Sequence, residues 1–177
     1  MGEIIHTLIW LFPVIFILHD FEEIIRVEKW LDRNTATIYE KLPQRLAEKV
    51  VGQFSMSTAQ MATAVLVIFL IVSSSTFMAS QYVNEKEAFS NIHIFTILQL
   101  AFFIHVFTHI GQSILFRSVT PGVITSILFV LPYSMVMINE LLNQDLITWD
   151  TIIICFPFIF LLLPIVLLAH WIGKKTA

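Results

Sequence analysis

The sequence has 177 residues, of which 57% are hydrophobic and only 13% are charged, and its mean hydropathy is +0.83. Because a soluble domain usually carries about 25% charged residues, this composition indicates an integral membrane protein. The formal net charge of −3 gives no basic surface for nucleic acid, and a single cysteine excludes an intramolecular disulfide bond.

Five segments have the length and composition of membrane-spanning helices, each of which needs roughly 20 mostly apolar residues. We place these segments at residues 4–25, 53–78, 88–116, 121–142 and 151–172. They predict an all-α fold, a polytopic membrane helical bundle of about five transmembrane helices. Residues 1–177 would form this single domain, since the sequence shows no internal repeat and no second domain.

The segment between the first two spans, residues 26–50, mixes basic and acidic residues with a few large apolar ones. Trp30, Leu31 and Leu46 are among the residues that would give a helix here an apolar face, so the segment is a candidate for lying along the membrane surface. A solvated loop with one short helix explains the same composition, and Pro43 favours that interpretation.

Basic residues predict how the chain is oriented. If the N-terminus is outside, all but one of the ten Lys and Arg residues lie inside, in residues 26–50 and at Arg117, Lys174 and Lys175. Only Lys86 then lies outside. Cytoplasmic loops are enriched in Lys and Arg, so we expect an N-out, C-in orientation, with 26–50 as a basic cytoplasmic segment. We expect the membrane to be the plasma (inner) membrane of a prokaryote.

The first span ends in an unusual group of ionisable residues, His19, Asp20, Glu22 and Glu23. Ionisable groups at membrane depth are costly and usually mark a substrate path, a proton relay or a metal site. On a helix, His19 lies one turn from both Glu22 and Glu23, so its imidazole and a carboxylate reach a common point. Asp20 lies about 100° round the helix from His19 and is expected to face another partner or headgroups.

The third span contributes two further histidines, His105 and His109. Their i, i+4 spacing places both imidazoles on one helix face, as in helical metal sites. Counted back from the basic residues that end their spans, these histidines and His19 lie at a similar depth, about 10 to 18 Å inside. Gln112 continues the same face one turn later.

Two other spans add polar residues at this inner level, Gln60 in the second and Thr125 in the fourth. Together with the histidines and glutamates they predict one cavity that faces the cytoplasm. A plainer interpretation is that Glu22 and Glu23 form interfacial ion pairs with Arg26. It leaves the matched depth of the three histidines unexplained.

The pentapeptide at residues 19–23 resembles the signature of the HXXEE domain family, small multi-span membrane proteins that are largely uncharacterised. A second region, which begins at residues 105–122 and includes the Thr-Pro-Gly-Val-Ile-Thr stretch at 120–125, is also similar to that family. The resemblance covers most of the chain. It implies a site without naming a reaction.

The resemblance also implies which residues matter. His19, Glu22 and Glu23 would be key positions, together with a further histidine and an asparagine. His109 or His105 is the candidate for the histidine. Asn139 is the candidate for the asparagine, although the predicted orientation places it toward the opposite face of the membrane.

These residues favour a membrane-embedded metalloenzyme. Three histidines with an open coordination position suit zinc, which lowers the pKa of a coordinated water to about 7. In this scheme the ligands are His19, His105, His109 and Glu23. Glu22 and Glu23 are the catalytic candidates, one as fourth ligand or general base and the other orienting a histidine. The reaction would be hydrolysis of an ester or amide in a lipid-like or amphipathic substrate.

Supporting positions in that scheme are polar residues that orient ligands or contact the substrate, namely Gln60, Gln112, Thr125 and Asn139. The metal is a divalent cation, with zinc preferred and iron as the alternative. The substrate would come from the membrane, and no nucleic acid partner is expected.

Other functions remain open on sequence alone. Iron would make the protein a non-haem or di-iron lipid oxidase or desaturase, although a di-iron bundle usually draws on about four glutamates and two histidines. A protein that binds or transports protons or divalent cations without catalysis would also use buried carboxylates and histidines. A purely structural membrane protein explains the spans and leaves the polar cluster without a role.

Overall fold

The computed structural model describes residues 2–85 and 88–176, and Lys86 lies outside the described residues. Its architecture is all-α, as predicted. We number the helices α1 (Gly2–Lys41), α2 (Gln44–Phe54), α3 (Thr58–Val83), α4 (Ile92–Phe116), α5 (Val123–Asn143) and α6 (Trp149–Thr176). All of these except the short α2 are long and apolar enough to cross a membrane.

The long helices run up and down in chain order. The start of α1 meets the end of α3 through a 2.9 Å hydrogen bond between His6 Nε2 and Asn84 Oδ1. At the other end, α6 finishes against the start of α3, where Gly173 lets the helices approach closely. A Cβ at this glycine would lie 2.4 Å from the Gln60 carbonyl oxygen. Successive spans therefore alternate in direction.

The core is apolar and so is most of the outer surface. Phe12, Phe95, Met137 and other large apolar side chains pack between α1, α3, α4 and α5. Leucine, isoleucine and phenylalanine side chains also cover the outside. In α6, only 11% of the most apolar stretch of 18 residues is buried. An apolar outer face of this extent is typical of a helix bundle surrounded by lipid.

The first helix continues well beyond the predicted span of 4–25. It runs unbroken to Lys41, after which Pro43 ends the helical path and α2 returns against it. Ile38 and Ala47 are fully buried in a small second core between these helices and the end of α4. Residues 26–50 are thus a helical hairpin. It has the apolar face predicted for a surface helix and the short helix predicted for a solvated loop.

Capping residues explain why two spans begin later than the predicted positions 53 and 88. Ser57 and Gln60 form a capping box at the start of α3. Glu28 Oε2 accepts hydrogen bonds from the Thr58 backbone N–H at 2.9 Å and hydroxyl at 2.8 Å. The Asn91 side chain caps α4 by accepting from the Ile94 backbone N–H. Polar caps at these positions fix the two helix starts.

Prolines change the helix type within α5 and α6. A π-helical turn at Ser126–Val130 precedes Pro132, and a 3₁₀ segment at Phe156–Leu161 contains Pro157. Proline has no backbone N–H and its ring crowds the preceding turn, which favours a local change of helix type at these two places. Pro13 lies within α1, where the α-helix continues without such a change.

Candidate metal centre

Helices α1 and α4 bring four potential ligands to one point. His19 and Glu23 lie one turn apart on α1, and His105 and His109 lie one turn apart on α4. Each offers one donor atom, and the four donor atoms lie within 4.8 Å of one another. The structure thus answers the question that the sequence left open, because the histidines of the two helices converge.

Glu23 is the centre of this group. Its Oε1 atom lies 2.9 Å from His109 Nε2 and 3.5 Å from the Nε2 atoms of both His19 and His105. His105 Nε2 and His109 Nε2 are 2.7 Å apart. Ligand atoms about 2.0 to 2.1 Å from a tetrahedral zinc ion are about 3.3 Å from each other. These four separations, from 2.7 to 3.5 Å, lie near that value, and no pair of donor atoms is more than 4.8 Å apart, so the group could hold one metal ion.

A hydrogen-bonded link fixes the orientation of His19. Glu22 Oε2 accepts hydrogen bonds from the Thr125 backbone N–H at 2.8 Å and hydroxyl at 2.7 Å. Since the Thr125 hydroxyl proton is used in this way, its oxygen accepts from His19 Nδ1 at 3.0 Å. His19 Nε2 therefore carries a lone pair. It is buried and has no hydrogen-bond partner among the described residues, as expected of a nitrogen that binds a cation.

Glu22 and Glu23 consequently differ in role. Glu22 is held away from the four donor atoms by Thr125 and by Arg26, whose Nη1 donates a 2.7 Å hydrogen bond to Glu22 Oε1. Glu23 alone of the two faces the histidines. The two glutamates thus differ in position, since Glu23 lies among the histidines that could hold a metal ion and Glu22 contacts Thr125, which in turn contacts His19.

The backbone at Gly122 closes one side of the group. This glycine has φ +82°, and a Cβ there would lie 2.7 Å from His109 Cε1, 2.8 Å from Glu23 Oε1 and 2.9 Å from His19 Cε1. Any other residue would need both an unfavourable left-handed backbone and space that three ligands occupy.

The loop that carries Gly122 is fastened by polar contacts. Trp30 Nε1 donates to Ser118 Oγ at 2.9 Å, and the Ser113 and Thr120 hydroxyl oxygens are 2.6 Å apart. These contacts join the loop to α1 and α4. The closed side of the group is therefore held in place by neighbouring helices.

The other side of the group opens into a cavity of about 500 Å³ between α1, α2, α3, α4 and α6. Its walls are mostly leucine, valine, isoleucine and phenylalanine. His19, Glu23, His105 and His109 lie on the wall. His105 is the most accessible ligand, with 43% of its side chain exposed, whereas His19 is 1% exposed. A substrate in the cavity would reach the donor atoms from the His105 side.

The four predicted supporting residues lie in different places. Thr125 touches His19, and Gln112 lines the cavity one turn beyond His109. Gln60 lies at the start of α3, where it completes the capping box, and Asn139 is exposed on α5. Neither Gln60 nor Asn139 belongs to the four-ligand group or to the cavity wall.

Two residues near the group were not predicted to lie there. Gly122 lies in the region assigned only by resemblance, and its Thr-Pro-Gly context signals a turn without indicating what the turn touches. Asp20 was expected at headgroups or another partner. It is buried on the cavity wall, and its Oδ2 has no hydrogen-bond partner among the described residues. The neighbouring helices cover it, which helix periodicity on α1 alone does not reveal.

His170 is a further cavity residue outside the four-ligand group. Its Nδ1 accepts a 2.6 Å hydrogen bond from Gln53 Nε2, and its ring packs edge-on against Phe54. It thereby connects α6 to α2 at the cavity wall.

Comparison with known proteins gives one match. No curated protein and no solved structure matches this chain. One family model does, described as a protein of unknown function with an HXXEE motif, and it matches residues 10–137. The motif corresponds to His19, Glu22 and Glu23 here. The match covers most of the chain and includes all four converging ligands, and the chain therefore belongs to the HXXEE family.

Proposed function

We propose that this protein is a membrane-embedded metalloenzyme that hydrolyses an ester or amide bond in a lipid-like substrate. The observation that supports the proposal is the convergence of His19, Glu23, His105 and His109 on the wall of an apolar cavity. A structural metal site is normally closed to substrates. This site has an accessible ligand and a space beside it that suits hydrocarbon.

The chain's residues would divide the work as follows. His19, His105 and His109 would hold the metal through Nε2, and Glu23 would lie beside the position left for water. A divalent ion there would polarise a carbonyl group and make water a stronger acid. Glu22 and Thr125 keep the His19 proton on Nδ1, so that Nε2 stays available. Glu23 is the carboxylate placed to take a proton from water and return it to the leaving group.

The location of the site supports a substrate that comes from the membrane. The bundle has five candidate spans, and its cavity is walled by apolar side chains from α1, α3 and α4. We propose that the site lies toward the cytoplasmic face, because the basic hairpin of α1 and α2 lines one half of the cavity that contains it.

A second candidate function is oxidation of an acyl chain by a single non-haem iron. Three histidines and one carboxylate also suit iron, and the apolar cavity suits a hydrocarbon substrate. The four-residue group found among the described residues is too small for a di-iron centre, which usually draws on about six ligands. The identity of the metal therefore distinguishes the two reactions, with zinc for hydrolysis and iron for oxidation.

Transport of protons or cations receives less support from the geometry. Beyond the ligands, toward the start of α1, the cavity is lined by Phe12, Phe16 and Val72. A conduction path needs polar groups or water across the membrane, and this part of the wall offers neither to an ion.

Metal analysis of protein purified in detergent without chelator tests the proposal. We expect about one zinc ion per chain, with loss of stoichiometric metal in His19→Ala and His109→Ala. His93→Ala is the matched control, since His93 is exposed near the start of α4. Iron at the same stoichiometry would support oxidation instead. Protein that folds as a monodisperse species and binds neither metal when resupplied would refute both enzymatic functions.

A further inference from the structure

The cavity extends in both directions from the ligands along α1. The residues of α1 that line it begin at Phe12 and end at Leu31. Because each residue advances a helix by about 1.5 Å, the lined stretch is roughly 28 Å long. His19 and Glu23 lie near its middle, roughly 10 Å from Phe12 and 12 Å from Leu31 respectively.

Helix α4 shows the same arrangement. Its cavity-lining residues begin at Leu98 and end at Phe116, and His105 and His109 lie in the centre of that stretch. On both helices, therefore, the ligands lie at the midpoint of the cavity and not at one end of it.

Both halves of the cavity are apolar. The half toward the start of α1 is lined by Phe12, Phe16, Ile71, Val72, Leu98 and Leu162. The half toward α2 is lined by Val27, Leu31, Leu42, Leu46, Val50 and Phe116. The polar lining residues Asp20 and Gln112 lie within one turn of a ligand, and His170 is bonded to Gln53. Among the residues that the structure describes, neither end has a charged side chain on its wall to bind a headgroup.

We propose that the substrate carries hydrocarbon on both sides of the reacting group, as in an ester or amide that joins two hydrocarbon chains. Each chain would occupy one half of the cavity, where burial of its methylene groups supplies binding energy of about 0.8 kcal/mol per group. This inference rests on the proposed hydrolytic function. In the reaction the acyl C–O or C–N bond breaks, water supplies hydroxyl to the acyl carbon, and the leaving alcohol or amine takes the proton.

Binding to the cobalt-substituted protein tests the inference without turnover. The probes are two hydroxamic acids with the same number of alkyl carbons, N-octyl-octanohydroxamic acid with a chain on each side and hexadecanohydroxamic acid with one long chain. Binding is read from the cobalt absorption spectrum in detergent. Equal carbon number makes their partition into detergent similar. We expect the two-sided compound to bind at least tenfold more tightly.

The outcomes separate this inference from the proposed function. Equal or tighter binding of the one-sided compound would overturn the inference, as would bound cobalt whose spectrum neither compound changes. Both results leave the metal site intact. A protein that takes up no cobalt would refute the metal site, and the inference with it.

Blocking substitutions test the two halves separately. Ile71→Trp narrows one half and Val50→Trp the other, whereas Leu70→Trp alters an exposed side chain outside the cavity wall. We expect each of the first two substitutions to weaken binding of the two-sided compound at least tenfold and to leave binding of acetohydroxamic acid unchanged. The third should change neither. If one blocking substitution leaves the two-sided compound unaffected, that half does not bind a chain and the inference fails.

Discussion

At the residue scale, the lack of a side chain at Gly122 leaves the space that the residues of the candidate metal centre occupy. Replacing it with alanine forces a Cβ into His109, Glu23 and His19, and the left-handed backbone alone costs about 1 to 2 kcal/mol. We expect Gly122→Ala to lower both metal content and thermal stability in detergent. Gly111→Ala is the control, because nothing lies within 4 Å of a Cβ there. Full metal occupancy in Gly122→Ala would contradict the close approach.

Thr125 is the second residue whose role can be isolated. Thr125→Val keeps the shape and removes the hydroxyl that accepts from His19 Nδ1, whereas Thr125→Ser keeps the hydroxyl. Loss of a group that orients a metal-binding histidine typically weakens metal affinity by 10- to 100-fold. We expect a loss of that size in the valine variant and a much smaller one in the serine variant, measured by competition with a chromophoric chelator. Equal affinities would show that the hydroxyl does not orient His19.

At the scale of elements, α2 is a short helix that forms part of the cavity wall and depends on α6. Gln53 donates to His170, and Lys174 Nζ approaches the Gly52 carbonyl oxygen. His170→Phe keeps the ring contact with Phe54 and removes the hydrogen bond, which is worth about 1 kcal/mol. We expect the amides of α2 to exchange with deuterium about fivefold faster, while those of α5 are unchanged. His93→Phe serves as control, and unchanged exchange in α2 would mean that the bond does not hold it.

The elements also show where sequence reasoning stops. The similar level of His19, His105 and His109 along their helices could be predicted, because the helical rise fixes distance along a helix. Their convergence could not, since helix rotation is set by packing. The extension of α1 to Lys41 gives no hydropathy signal, as contacts with Ala47 and other residues of the hairpin stabilise it.

Some residues of the site could likewise be predicted from the sequence, and others could not. The i, i+4 spacing of His105 and His109 predicted that both lie on one helix face, and this face meets His19 and Glu23. The role of Gly122 depends on a loop that crosses two helices distant in sequence, and the division between Glu22 and Glu23 depends on Thr125 of α5. Such long-range contacts leave no local pattern.

At the scale of the whole molecule, the orientation predicted from basic residues can be tested directly. In a Cys155→Ala background, a cysteine is placed at Asp145, between α5 and α6, or at Lys41, at the end of α1. An N-out, C-in protein in sealed, right-side-out vesicles exposes position 145 to an impermeant maleimide and shields position 41 until the vesicles are opened. The reverse labelling pattern would establish the opposite orientation.

The loop at Gly122 also governs how an ion reaches the site. It closes one side, and the cavity on the other side has walls that are mostly hydrocarbon away from the ligands. A hydrated ion must shed water in such surroundings, which is costly. Metal exchange in the folded protein is therefore expected to be slow, and the ion is most readily acquired while α1 and α4 are still coming together.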